Sequence, residues 1–218
     1  MTDRATPIPG QPVALLPGVL RITAPNPSPM TFTGTNSYIL GDSRPVLIDP
    51  GPADPRHLEA LMTALAGRQP QAIVVTHAHR DHSALAPALA LATGAPVMAF
   101  GRADAGQSAR MRALARGGLT GSSEGADAGF VPDTLLRDGD GLDLEGSRLV
   151  ALHTPGHFGN HICLHWGDVL FSGDHVMGWS TSVVMPPEGD MRQYRASLRR
   201  LEGGPWRTAL PGHGEMIP

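Results

Sequence analysis

The amino-acid sequence predicts an α/β fold in which two sheets are covered by helices on their outer faces. Short apolar runs alternate with helical segments in both halves of the chain, which is the pattern of sheets flanked by helices. Several neighbouring runs are separated only by short turns, as the strands of hairpins are. A length of 218 residues suits one buried core, so we expect a single domain over residues 1–218.

The first half of the chain alternates predicted strands and predicted helices. Strands are expected at Val19–Ile22, Ser37–Leu40, Pro45–Ile48, Ala72–Val75 and Pro96–Phe100. Helices are expected at Pro55–Leu65, Ser83–Thr93 and Arg102–Arg116. Runs rich in turn-forming and small residues predict loops at Pro25–Thr35 and Gly117–Gly129, and the second is expected to be a flexible surface loop or lid.

The second half repeats this pattern with more strands. They are expected at Arg148–Leu152, His161–His165, Val169–Ser172 and Arg207–Leu210. One helix is expected at Asp190–Leu201. The repeated alternation supports two sheets rather than one.

Composition excludes several classes of protein. A hydrophobic content of 41% and a charged content of 17% are those of a globular chain. No apolar run approaches the roughly 20 residues of a spanning helix, and no signal peptide is evident, so we expect a cytoplasmic protein without a membrane partner. The formal charge of −3 offers no basic footprint for nucleic acid. Cys163 is the only cysteine, so any metal must be held by His and carboxylate groups.

The segment Thr76–Ser83 is the strongest functional signal. It places His77, His79, Asp81 and His82 directly after the apolar run Ala72–Val75. Buried His and Asp are costly unless they are paired or coordinated, and their donor atoms suit Zn²⁺ and its first-row neighbours. Side chains two apart in extended backbone point the same way, so the first two histidines could bind one ion. The other two residues follow the turn and could reach a second ion.

Three later segments offer further ligands. Each consists of an apolar strand, a turn that contains glycine, and a ligand-type residue at its end: His157 after His153-Thr-Pro-Gly, Asp174 after Phe171-Ser-Gly, and His213 after Pro211-Gly. Ligands commonly collect in such loops at strand ends. The recurrence makes a metal centre a much stronger interpretation than the first cluster does alone.

The sequence closely resembles the metallo-β-lactamase-fold hydrolase superfamily over residues 36–213. It carries the signature of that family, which is His-x-His-x-Asp-His followed by a His, an Asp and a final His. The resemblance implies a four-layer αβ/βα sandwich with two mainly antiparallel sheets and the site at one edge. It implies that one ion is bound by His77, His79 and His157, and a second by Asp81, His82 and His213, with Asp174 bridging the two. Asp49 matches a position that supports such a site, although a simple turn or cap role is equally open for it.

The chemistry that this resemblance implies is metal-assisted hydrolysis. Two divalent ions, with zinc expected and manganese or iron as alternatives, would make a bridging hydroxide available to attack an ester, thioester or phosphodiester. Asp81 and Asp174 are the expected catalytic carboxylates. The centre is net cationic, so the expected partner is an anionic small-molecule or oligonucleotide substrate. Candidate substrate-binding residues in loops that face the site are Asn36, Tyr38, Trp179, Ser180 and Thr181. Supporting or structural roles are expected for His153, His161, His165 and His175, and none for His57 on a predicted surface helix.

Several functions remain open at this point. The segments Gly34–Leu40 and Ser172–Trp179 are most similar to the lactamase-like branch that includes single-stranded RNA endonucleases. Glyoxalase II-like thioesterases share the ligands, whereas the Asp at position 174 counts against a class B β-lactamase. A mononuclear iron persulfide dioxygenase needs only three of the ligands, and a binding module with a vestigial site needs none. Oligomeric state is left open.

Overall fold

The structure is a computed structural model, and it describes residues 7–121 and 125–218. Its first sheet has seven strands in chain order. They are β1 (Pro12–Leu16), β2 (Val19–Thr23), β3 (Asn36–Leu40), β4 (Val46–Ile48), β5 (Ala72–Val74), β6 (Val97–Ala99) and β7 (Thr134–Leu135). Pairing is antiparallel from β1 to β4 and parallel from β4 to β7. The sheet is therefore mixed, with three antiparallel and three parallel pairings, whereas the sequence predicted a mainly antiparallel sheet.

Helices occupy the connections between the parallel strands, which a parallel pairing requires because the chain must cross back. The helices of this half are α1 (Pro55–Leu65), α2 (Arg80–Ser83), α3 (Ala86–Thr93) and α4 (Ala109–Arg116). Asp54 caps α1 by accepting from the backbone N–H of Arg56, and Ser108 caps α4 by accepting from that of Met111.

The second sheet has five strands in the order β12, β11, β10, β9, β8. They are β8 (Gly141–Leu144), β9 (Ser147–His153), β10 (Ile162–Trp166), β11 (Val169–Gly173) and β12 (Thr208–Pro211). Its pairings are antiparallel except for β11 with β12, which is parallel. The helix α5 (Met191–Leu201) provides that crossover.

Alternating side chains of β3 show how the layers stack. Leu40 packs in the main core with Leu164 and Phe171 of the second sheet. Ile39 points the other way and packs with Leu61 of α1. On the far side of the second sheet, α5 contributes Leu201 to a smaller cluster. The layers are thus helix, sheet, sheet, helix, which confirms the predicted sandwich.

The structure also departs from the sequence-based element assignments. The strands β1, β7 and β8 were not predicted, because they are short and only one of their residues, Leu144, is fully buried. The predicted helix at 83–93 begins only at Ala86, after the separate short helix α2 that ends at Ser83, and the predicted helix at 102–116 begins only at Ala109. Of the predicted 117–129 loop, residues 122–124 lie outside the described residues.

His57 was wrongly placed on a surface helix face. Its side chain is fully buried, and its Nε2 lies 2.8 Å from the Ser37 hydroxyl on β3. Gly51 makes room for the imidazole, since a Cβ there would lie 2.7 Å from its Cδ2 atom.

Within the described ranges, no helix has the length and apolar character needed to cross a lipid bilayer.

Candidate metal centre

The segment after β5 carries four of the predicted ligands. His77 and His79 follow the strand in extended backbone, since His79 has φ −87° and ψ 144°. The chain then coils at once into α2, whose first turn holds Asp81 and His82. This change from extended to helical backbone aims the two pairs in different directions, as the sequence predicted.

Three imidazoles form site one, which we define as His77, His79 and His157. The Nδ1 atom of His79 lies 2.9 Å from His77 Nε2 and 3.0 Å from His157 Nε2. His157 comes from the loop after β9, so this site joins the two sheets. Three imidazole nitrogens converge on one point.

Site two comprises Asp81, His82 and His213. The Oδ2 atom of Asp81 lies 3.3 Å from His82 Nε2 and 3.3 Å from His213 Nε2. The two imidazole nitrogens are 3.4 Å apart. Site two therefore combines one carboxylate with two imidazoles.

Asp174, which directly follows β11, lies between the two sites. Its Oδ2 atom is 3.6 Å from His157 Nε2 and 3.2 Å from His213 Nε2. Its Oδ1 atom is 3.4 Å from His82 Nε2 and is buried without a hydrogen-bond partner among the described residues. This position suits a carboxylate shared by both sites.

The donor set fits metal ions. The donor atoms of site one with Asp174, and those of site two, each lie within 4.8 Å of one another. Tetrahedral ligands at Zn–N distances of about 2.0–2.1 Å are separated by about 3.3 Å, close to the separations found here. The buried Oδ1 of Asp174 without a partner is a further sign, because buried acceptors are normally satisfied.

Site one is made of neutral imidazoles. Burial lowers the pKa of His77 well below its ordinary value, and lowers the pKa of His79 to about 3. Burial also lowers the pKa of His157. Neutral imidazole is the form that binds metal, so these nitrogens are available near neutral pH.

Site two has the opposite electrostatic character. Burial alone would lower the pKa of His82, but the carboxylates of Asp81, Asp174 and Asp49 raise it well above its ordinary value. The pKa of His213 is shifted in the same direction: burial alone would lower it, but the carboxylates of Asp174 and Asp81 raise it to about 9. The carboxylates therefore stabilise positive charge at this site.

Asp49 supports both sites. It lies just after β4 with φ 52°, a conformation that non-glycine residues seldom adopt. One carboxylate oxygen accepts from the backbone N–H of Thr76, and the other lies 2.8 Å from both the Thr76 hydroxyl and His82 Nδ1. The Thr76 hydroxyl is in turn 3.1 Å from His77 Nδ1. The site-supporting role, one of two that the sequence left open for Asp49, is the one that these contacts favour.

His161 orients the loop that carries Asp174. The backbone N–H of Asp174 donates to His161 Nε2 at 3.2 Å, which leaves the ring proton on Nδ1. That nitrogen lies 2.9 Å from the Thr154 hydroxyl. The sequence predicted a supporting or structural role for His161, but it gave no role to Thr154, although this residue lies within the motif that ends at His157.

Backbone carbonyls and one further threonine complete the surroundings. His157 Nδ1 donates to the carbonyl of Val183 at 2.6 Å, and His213 Nδ1 lies 3.3 Å from that of Gly34. The Thr35 hydroxyl donates to Asp81 Oδ2 at 3.0 Å. Such partners fix ligand orientation. The sequence signal that could have found Thr35 and Thr76 is that each lies next to a residue of a site motif.

The other histidines lie outside both sites. His153 stacks on Phe100, and its Nε2 lies 3.1 Å from the Gly159 carbonyl. His175 is buried beside the Tyr194 ring, and His165 lies near the Trp206 ring. These positions agree with the structural roles that the sequence suggested.

A cavity of about 370 Å³ opens above the metal centre. Its floor includes His79, Asp81, His157 and Asp174. Its other lining residues are Met30, Thr31, Gly125, Val183, Met185 and Glu188. The ligand-type groups are therefore accessible to a small molecule.

The predicted substrate-binding residues do not line this cavity. Asn36 and Tyr38 are buried on β3 and bind the backbone that precedes His213: Asn36 Nδ2 donates to the Pro211 carbonyl at 3.1 Å, and the Tyr38 hydroxyl donates to it at 2.7 Å. Trp179 stacks on Phe32 with ring centroids 4.8 Å apart. Ser180 and Thr181 are exposed. For these last three residues, contact with substrate stays a prediction.

A comparison with protein families decides the identity of the fold. The model of the metallo-beta-lactamase superfamily matches residues 30–213, which contain both sites and Asp174. The chain belongs to this superfamily. Membership and the cluster of His and Asp side chains together support a metal-binding hydrolase.

Relatives and solved structures agree with this family. The chain is 31% identical over 214 residues to the atrochrysone carboxyl ACP thioesterase of Aspergillus fumigatus, covering 93% of this chain and 58% of that protein. It is 32% identical over 222 residues to the beta-lactamase-like protein 2 homolog of Drosophila melanogaster, covering 94% of this chain and 69% of that one. The chain thus spans less than two thirds of the length of the fungal relative.

Among solved structures, a metallo-beta-lactamase family protein from Thermus thermophilus aligns with a TM-score of 0.73 and 27% identity. The alignment covers 94% of this chain and 76% of that one. TTHA1623 in a di-iron-bound form aligns with a TM-score of 0.65 and 30% identity over 90% of this chain and 93% of that one. These likenesses support the αβ/βα sandwich, and the second shows that a member of this fold can hold two iron ions.

Proposed function

We infer that this superfamily member is a dinuclear metallohydrolase whose substrates are thioesters. The observation that carries the inference is the convergence of seven donor groups in two adjoining sets, with Asp174 within 4 Å of histidines in both. When bound, a pair of divalent ions would supply Lewis acidity and make hydroxide available near neutral pH. Site one and site two would each hold one ion.

Asp81 is the residue best placed to orient an attacking water molecule. Its Oδ2 atom already contacts Thr35, His82 and His213. Its side chain is 27% exposed and lines the cavity, so its Oδ1 atom can accept a hydrogen bond from an attacking water molecule and orient it. Thr35 keeps the carboxylate in that orientation.

Thioesters suit the polar lining of the cavity. A thiol has a pKa near 8.5, so it leaves as a thiolate near neutral pH with little need for a proton donor. Within the described residues, the polar lining consists of metal-centre groups, Thr31 and Glu188. The names of the fungal relatives, atrochrysone carboxyl ACP thioesterases, support the same substrate class.

An activity panel with metal analysis tests this function. Thioesters, lactones, phosphodiesters and single-stranded RNA are offered to protein loaded separately with Zn, Mn or Fe, with and without chelator. We expect about two metal ions per chain, and thioester turnover that is lost with chelator and in His77→Ala. RNA cleavage without thioester turnover would favour the endonuclease alternative. One iron ion per chain with persulfide oxidation would favour the dioxygenase.

A further inference from the structure

Two features of the cavity have no role in the hydrolytic step described above. One is the apolar wall, which we define as Met30, Val183 and Met185. The other is the carboxylate of Glu188, which lines the same cavity and belongs to neither metal site. Together they indicate which kind of molecule the cavity can bind.

The apolar wall is open to solvent although it is large and hydrophobic. Met30 is 60% exposed, Met185 43% and Val183 37%. Exposed apolar side chains that gather around a concave site favour an apolar ligand, because binding removes their surface from water. Methionine side chains are flexible and can adapt to ligands of varied shape.

The wall is positioned by contacts with metal-centre residues. The carbonyl of Val183 accepts from His157 Nδ1 at 2.6 Å. The loop that carries Met30 continues to Thr35, whose hydroxyl donates to Asp81. An apolar group on the wall therefore lies beside the reacting atoms rather than at a separate pocket.

The Glu188 carboxylate has an acceptor atom to which no described residue donates a hydrogen bond. Its Oε2 atom is buried and has no hydrogen-bond partner among the described residues. The carboxylate packs against Gly121, where a Cβ would overlap it. A buried acceptor left unpaired is costly, and the buried acceptors of folded proteins are mostly paired, so this carboxylate suits a ligand that brings a donor.

We propose that the cavity binds the acyl half of the thioester, that this acyl group is mainly apolar, and that it carries a hydroxyl or amino group which donates to Glu188. This rests on the proposed thioesterase function. The acyl half is assigned to the cavity because about 370 Å³ holds a small ligand, whereas a nucleotide or protein that carries the thiol must remain outside. Glu188 is thus a specificity-determining residue.

The test uses matched acyl groups on one small thiol, N-acetylcysteamine. Butanoyl, hexanoyl and octanoyl thioesters are compared with their ω-hydroxy and ω-amino counterparts. At the chain length that spans the cavity, we expect the donor-bearing substrate to have a kcat/KM about tenfold higher, the size expected of a hydrogen bond to a charged group. The same preference is expected in the Kd of the non-hydrolysable amide analogues, measured by calorimetry.

Variants of Glu188 test whether the preference for donor-bearing substrates depends on this residue. Glu188→Ala should remove the preference for both the ω-hydroxy and the ω-amino substrates. Glu188→Gln should keep the preference for the ω-hydroxy substrate and lose the preference for the ω-amino substrate, whose amino group is a charged ammonium. Glu59→Ala, an exposed site on α1, is the matched control and should change nothing. Metal content should be the same in all of these proteins. An equal preference in wild type and Glu188→Ala, in both turnover and binding, would overturn the proposal.

A second pair of variants tests the role of the apolar wall. Met185→Ala should lower kcat/KM for octanoyl thioester more than for butanoyl thioester, while Met191→Ala, an exposed methionine on α5 outside the cavity, should not. If the amide analogues show the Glu188-dependent preference but no thioester is cleaved, the proposed reaction fails and the cavity assignment stands. If thioesters are cleaved without any such preference, only the cavity assignment fails.

Discussion

Site one and site two contain equal numbers of protein donors in opposite electrostatic surroundings. At site one, burial lowers the pKa of all three imidazoles. At site two, the neighbouring carboxylates raise the pKa of His82 and His213 despite their burial. Because these shifts favour the protonated form of His82 and His213, we expect binding of an ion at site two to release protons.

The two sites also differ in what holds them. His77 and His79 of site one leave the same strand two residues apart, and their alignment follows from local extended backbone. At site two, His213 is held by the first sheet: Asn36 and Tyr38 bind the backbone just before it, and a bridge pairs it with Thr35. Site two therefore depends more on long-range contacts than site one does. Variants that weaken one site more than the other can test this difference.

Removal of the shared carboxylate should have the largest effect. Asp174→Ala deletes the group that lies near histidines of both sites, so we expect loss of both ions and a fall in turnover of more than about a hundredfold, beyond the effect typical of outer partners. His79→Ala should empty site one while site two keeps its ion. Elemental analysis after gel filtration measures both, with the exposed Asp143→Ala as control. Two ions retained in Asp174→Ala would contradict the shared role.

Loss of the Asp49 charge should affect site two more than site one. Asp49 contacts His82 directly, but it reaches His77 only through the Thr76 hydroxyl. For Asp49→Asn we expect metal affinity at site two to fall by about ten- to a hundredfold and that at site one by less. Competition with a chromogenic chelator resolves the two affinities, and Asp143→Asn is the matched control. Equal weakening of both sites would show that Thr76 transmits the effect fully.

The seven donor residues could be predicted from the sequence because their chemistry is local. Each lies in a short segment where an apolar strand meets a turn, and the strand ends collect at one edge of the sandwich. The layers could be predicted for a similar reason, since buried strands such as Val46–Ile48 are continuous apolar runs.

Roles that depend on distant partners could not be predicted. Asn36 and Tyr38 were assigned to the substrate pocket, but both side chains bind the Pro211 carbonyl, more than 170 residues along the chain. Nothing in the local pattern of β3 signals that contact. Glu188 was overlooked because a single carboxylate in a Pro/Gly-rich loop has no motif, and its significance is the missing partner of Oε2.

Asn36→Ala should weaken site two through this long-range contact. The side chain donates to the carbonyls of Pro211 and Gly214, and it accepts from the Thr23 hydroxyl. Removing it leaves the buried Thr23 hydroxyl unpaired and leaves the Gly214 carbonyl with only the longer contact from Arg21 at 3.5 Å, so we expect a loss of about 1–3 kcal/mol in stability and lower metal affinity at site two only. Ser43→Ala, an exposed site in the following turn, is the control. An unchanged metal content together with a raised KM would instead restore the substrate role.

Tyr38→Phe should have the smallest effect on the same segment. It removes one hydrogen bond, but the Pro211 carbonyl still accepts from Asn36, so no buried acceptor is left unpaired. We expect a loss of about 1 kcal/mol in the free energy of unfolding, measured by denaturant titration, with both metal affinities nearly unchanged. In Asn36→Ala/Tyr38→Phe the carbonyl loses both donors, so the loss in the double variant should exceed the sum of the two single losses. Strict additivity would mean that each residue holds the His213 segment independently.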